Sequence, residues 1–128
     1  MRVFIQLMII SLMMIIAAPA WSDSALHIIT CEQDEETTDE QVEAIASEWL
    51  KAAKAVKGGE NLDLYLNFPV AAKVGEIDVA MMLIAPSFAE WGAFMDNYAG
   101  SAAEAIDDKY KDDLDCGNGT LWESVKIE

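Results

Sequence analysis

The apolar positions of this chain recur with two different periods. Around residue 25 there is a short apolar run, Leu26, Ile28 and Ile29, ending at Cys31, which predicts a first strand over Ala25–Cys31. Glu32 to Glu36 form an acidic loop, and Thr38-x-x-Gln41 is a capping-box signal. Val42, Ile45, Ala46, Trp49, Leu50, Ala53 and Val56 then follow at helical spacing until Gly58-Gly59 ends the run. Leu62, Leu64, Leu66, Phe68 and Val70 alternate with Asp63, Tyr65, Asn67 and Pro69, the pattern of a strand with one buried face. Pro69 puts that strand at a sheet edge, because proline cannot donate to a central ladder.

After a predicted turn at Lys73-Val74-Gly75, residues Ile77 to Ala85 are apolar at every parity, as expected of a central strand covered on both faces. Pro86-Ser87 ends it. Ser87-x-x-Glu90 opens a helix with Phe88, Trp91, Phe94, Met95 and Tyr98 on its apolar side, and Gly100 resets the chain. Ser101-x-x-Glu104 leads a short acidic helix through Ile106 and Tyr110. Cys116-Gly117-Asn118-Gly119 reads as a turn, and residues 121–127 alternate as a last strand. The order strand, helix, strand, strand, helix, strand is the split ferredoxin-like βαββαβ arrangement: an α+β fold with a four-stranded antiparallel sheet and helices on one face.

Ahead of this domain, Met1 and Arg2 precede an apolar stretch from Val3 to Ile16, broken by Gln6 and Ser11, and then Ala17-Ala18-Pro19-Ala20-Trp21-Ser22. That is the layout of a secretory signal peptide, and the run is shorter than the roughly 20 residues that span a bilayer. The expectation is a signal over residues 1–22, a single domain over 23–128, and a periplasmic or secreted protein with no membrane attachment once the signal is removed. The chain holds 23 acidic and 8 basic residues, a net charge of −15 at pH 7. Such a field repels phosphate backbones and excludes nucleic acid as a partner. Two cysteines in an exported chain read as one disulfide, Cys31 to Cys116, and no Cys-x-x-Cys redox motif is present. The topology agrees, since it places the end of the first strand beside the start of the last.

With these elements in place the chain resembles the dimeric alpha-plus-beta barrel superfamily, in which two ferredoxin-like subunits pack sheet against sheet. The likeness spans roughly Leu26 to Ile127. More narrowly, Pro86-Ser87-Phe88-Ala89-Glu90-Trp91-Gly92 with Asp96 and Tyr98, and Leu121-Trp122-Glu123-Ser124 after Cys116, is similar to small exported proteins of marine bacteria. The resemblance implies a fold and a homodimer. It brings no activity, and it assigns no heme-ligating role to His27.

Chemistry is sparse. His27 is the single histidine, on one strand face with Ile29 and Cys31, so no Ser-His-Asp or Cys-His nucleophile is available. An EF-hand register begun at Asp112 puts Leu114 and Cys116 where oxygen ligands are required, and the acidic run from Asp107 to Asp115 reads as a solvated helix face. Asn118-Gly119-Thr120 matches a glycosylation sequon within the predicted turn. No cofactor or metal is expected. Tyr65, Asn67, His27 and Trp122 are read as projecting opposite the alternating aliphatic set, and with Met82 they form the candidate site for a small, largely apolar ligand on the bare sheet face. Two classes stay open: a non-catalytic binding or stress-related domain, and a cofactor-free monooxygenase or isomerase acting on a small apolar compound.

Overall fold

The computed structural model describes residues 23–70 and 77–127; the predicted signal and the Lys73-Val74-Gly75 turn lie outside them. The described elements are β1 (Ser24–Gln33), α1 (Asp39–Ala53), β2 (Asp63–Asn67), β3 (Val79–Ala85), α2 (Phe88–Asp96), α3 (Ala102–Tyr110) and β4 (Leu114–Ser124). The four strands form one antiparallel sheet in the order β2-β3-β1-β4. This is the ferredoxin-like arrangement, with β2 at an edge as expected; the strand ends at Asn67 rather than running on through Pro69 to Val70. No described helix is long and apolar enough to cross a membrane.

Local signals explain the helix boundaries. Both halves of the α1 capping box form: the Gln41 amide donates to Thr38 Oγ1 at 3.3 Å and the Thr38 amide donates to Gln41 Oε1 at 2.7 Å. The α1 exit turns through Gly58 at φ +90°, where a Cβ would also lie 2.4 Å from the Phe94 amide nitrogen. Only glycine fits there, on conformational and steric grounds alike. Ser87 and Ser101 cap α2 and α3, and Gly100 at φ +76° makes the bend between them.

Cross-strand register sorts the side chains into two faces. Leu64, Leu83, His27 and Leu121 form one row, and Leu66, Met81, Ile29 and Gly119 the next; both face the helices. Against them pack Trp49, Ala53, Phe94 and Ala103, all buried. Tyr65, Met82, Ile28 and Thr120 form a row on the opposite face, flanked by Asp63, Ile84, Leu26 and Trp122.

Three expectations are corrected. β4 starts at Leu114 and runs through 116–119 without a turn, because this stretch is paired with β1 and absorbs its extra residue as a bulge opposite Thr30. The strand therefore also ends earlier, at Ser124. β3 is covered on one face only within the chain: Val79, Met81, Leu83 and Ala85 are buried, whereas Ala80, Met82 and Ile84 are half-exposed, since every helix lies on one side of the sheet. The disulfide is present: Cys31 and Cys116 are cross-strand partners with Cα atoms 4.0 Å apart, closing a separation of 85 residues.

Candidate functional site

Between the helix face of the sheet and the three helices lies a cavity of about 350 Å³. Its deep wall is apolar, built by Met81 and Leu83 of β3, Trp49 of α1, Phe94 of α2, Ile106 of α3 and Leu114 at the start of β4. Trp49, Phe94 and Tyr98 form an edge-on aromatic series, with ring centroids 6.1 Å and then 5.5 Å apart. The exposed lining residues mark the mouth: Met95 on α2, Asp107, Asp108 and Lys111 at the end of α3, and Asp115, Cys116 and Gly117 on β4.

Polar groups converge at one side of the cavity. Trp49 Nε1 donates to the Tyr98 hydroxyl at 3.4 Å, and that hydroxyl donates to Asp107 Oδ2, so one chain of bonds links α1, the turn after α2 and α3. Partial burial pushes the Asp107 carboxyl up to about 6; the Trp49 N–H opposes that shift and the neighbouring Asp108 charge adds to it. The segment is held in place from outside. Glu48 on α1 accepts from Tyr110 Oη at 2.7 Å and from Lys109 Nζ at 3.0 Å, and these bonds hold its carboxyl below its ordinary range.

His27 stands on the sheet wall. Its ring lies edge-on to Trp91, 5.9 Å between centroids, and burial lowers its pKa, which favours neutral imidazole. His27 Nδ1 and Trp91 Nε1 are both buried with no hydrogen-bond partner among the described residues. The ring also lies over Gly119, where a Cβ would come within 2.0 Å of His27 Nε2. A side chain at 119 and this imidazole position exclude each other.

The five residues expected to form one ligand site do not come together. Tyr65, Asn67, Met82 and Trp122 do share the outer face, with Tyr65 and Trp122 each 55% exposed. His27 is on the opposite face, because it pairs with Leu83 and Leu121 in the helix-side row. Tyr65 and Trp122 also sit on the two edge strands, three strand spacings or roughly 14 Å apart. One small molecule does not bridge them. Asn67 Nδ2 is engaged with the Ala80 carbonyl at 3.1 Å, and Trp122 Nε1 with Thr120 Oγ1 at 2.8 Å.

Sequence reasoning missed Asp107, which read as part of a solvated helix face, and Tyr98, which read only as the end of an apolar stripe. No spacing rule joins them, since the bend at Gly100 lies between. The one available signal was that His27 shares its strand face with Ile29 and Cys31. Among the described residues no group of three or more His, Cys, Asp and Glu side chains is placed to hold a metal ion.

No known protein-family model matches the chain, and no curated protein matches it. Solved structures do. A dimeric ferredoxin-like protein of unknown function from Thermobifida fusca YX superposes with a TM-score of 0.52 at 18% identity, covering 80% of this chain and 92% of that one. The hydroxynitrile lyase from Passiflora edulis gives a TM-score of 0.55 at 10% identity, covering 83% and 95%. At such identities the likeness concerns the backbone alone: the chain has an α+β, ferredoxin-like fold.

Proposed function

We propose that this chain is an exported, disulfide-bonded binding domain that holds a small, largely apolar molecule between its sheet and its helices. The cavity carries this reading: it is apolar in depth, within the size range of small-molecule sites, and has a few polar groups gathered at one side. The disulfide, the acidic surface and the predicted signal support export.

The outer sheet face is assigned to a second copy of the chain. Leu26, Ile28, Met82 and Ile84, with Tyr65 and Trp122 at the edges, make an apolar patch on the order of 400 Å² from strand spacing and rise, large enough to mark a contact surface. The Thermobifida fusca protein is described as dimeric, which supports the same reading. Tyr65, Asn67, Met82 and Trp122 are then interface residues.

A second reading, a cofactor-free enzyme acting on a small apolar compound, is favoured by one observation. A carboxyl raised to about 6 by partial burial shares the cavity with a histidine of lowered pKa, the kind of pair that can exchange protons with a substrate.

A thermal-shift and calorimetric screen of small alcohols, aldehydes, ketones and amines tests the binding reading when run beside Ala46→Leu. Ala46 is buried in the cavity wall, so leucine there takes up ligand space. Hits should bind the parent and lose at least tenfold in affinity on the variant, with Ile45→Phe as a second cavity-filling change. Hits that bind all three proteins equally would place the ligand elsewhere.

A further inference from the structure

The reading of the cavity as a small-molecule site leaves the chemistry of its ligand open, and the mouth narrows it. We infer that the cavity selects a small organic cation, an ammonium group carried on a compact apolar body, over its neutral and anionic counterparts. This rests on the binding reading above and adds the charge of the ligand.

Three features point the same way. At the mouth Asp107, Asp108 and Asp115 stand against one cation, Lys111, so a ligand head group there meets a local excess of negative charge. Behind them the wall is aromatic. Trp49, Phe94 and Tyr98 pack edge to face along this wall, and aromatic rings beside carboxylates are the combination that attracts ammonium groups. Beyond the site the whole chain carries −15, which raises the local concentration of cations and lowers that of anions.

The geometry also says where the head group sits. Asp107 Oδ2 already accepts from the Tyr98 hydroxyl, which leaves the remaining carboxylate lone pairs directed away from Tyr98. An ammonium at the mouth can use them while its apolar body lies against Phe94, Met81 and Leu83. The charged and polar groups facing this point are Trp49 from α1, Tyr98 from the turn after α2, Asp108 and Tyr110 from α3, Lys111 just beyond it, Asp115 from β4 and His27 from β1. Because Asp107 titrates at about 6, a cation should bind best above that pH and weaken as the carboxylate takes up its proton.

Three probes of matched size separate the possibilities: 2-phenylethylamine, 2-phenylethanol and 3-phenylpropanoate, titrated calorimetrically into the full disulfide-bonded protein at pH 7.5. The amine should bind at least tenfold more tightly than the alcohol, and the carboxylate least. Asp107→Asn should remove most of the amine's advantage, Asp115→Asn part of it, and lowering the pH to 5 should mimic Asp107→Asn, with far-ultraviolet spectra and melting curves showing that each variant folds. Equal binding of amine and alcohol, or preference for the carboxylate, would overturn the cation inference while leaving the cavity a binding site. Failure of all three probes to bind, with the broader screen also empty, would overturn both.

Discussion

Substituting Gly119 by alanine should destabilise the protein, and the same substitution should become stabilising once His27 is removed. A Cβ at 119 would lie 2.0 Å from His27 Nε2, 2.7 Å from Cδ2 and 3.1 Å from Cε1, so the whole ring must swing away. Leaving its rotamer by about 30° costs roughly 0.5–1.5 kcal/mol. Losing the edge-on contact with Trp91 costs roughly another 0.5–1.5 kcal/mol. Against this, replacing glycine within a strand gains roughly 0.5–1 kcal/mol from backbone entropy. The net loss is about 1 kcal/mol, or a urea midpoint lower by about 0.7–1 M for a domain with m of about 1–1.5 kcal/mol/M. In the His27→Ala background the clash is absent and only the gain remains, so the double-mutant cycle should give a coupling of about 1–3 kcal/mol. Urea unfolding followed by tryptophan fluorescence reads all four proteins. Zero coupling would refute the placement of His27 over β4.

Replacing both Cys31 and Cys116 by serine releases a loop of 85 residues and should cost about 4–5 kcal/mol on the chain-entropy argument, read as a urea midpoint shift; a change below 1 kcal/mol would contradict it. Asp107 is raised in the folded state, so its protonated form favours folding: that contribution is complete below about pH 4 and disappears as pH rises through about 6. Because the group is partly solvated the effect should stay below about 1 kcal/mol, and carboxyl carbon NMR should give an Asp107 midpoint near 6, with a value near 4 rejecting its desolvation. Met82→Asp puts a charge in the middle of the outer sheet face and should turn a sedimenting dimer into a monomer; a parent protein already monomeric at tens of micromolar would reject the sheet-to-sheet contact.

Much of the fold was legible because its signals are local. The Thr38 and Gln41 box, the Ser87 and Ser101 caps and the alternation from Leu62 to Phe68 each act over a few residues, and the cysteine pair adds one long-range constraint; Pro69 lies beyond the end of β2 and did not place it. β4 was misread because Cys116-Gly117-Asn118-Gly119 has the composition of a turn, whereas pairing with β1 and the disulfide hold it extended. The second face of β3 was misjudged because apolar residues at both parities do not reveal whether the second cover comes from the chain itself. The site was largely hidden. His27 was grouped with Tyr65 and Trp122 although its neighbours Ile29 and Cys31 put it on the helix side, and the link from Tyr98 to Asp107 crosses a bend that no periodicity spans.

Methyl NMR of a ligand titration tests most directly which side of the sheet binds. Met81 and Met82 are adjacent in sequence and on opposite faces, as are Leu83 and Ile84, with Met81 and Leu83 buried in the cavity wall. Titration with 2-phenylethylamine should move the methyl signals of Met81 and Leu83 and leave those of Met82 and Ile84 in place. Shifts at Met82 and Ile84 with Met81 and Leu83 unmoved would contradict a binding cavity between the sheet and its helices.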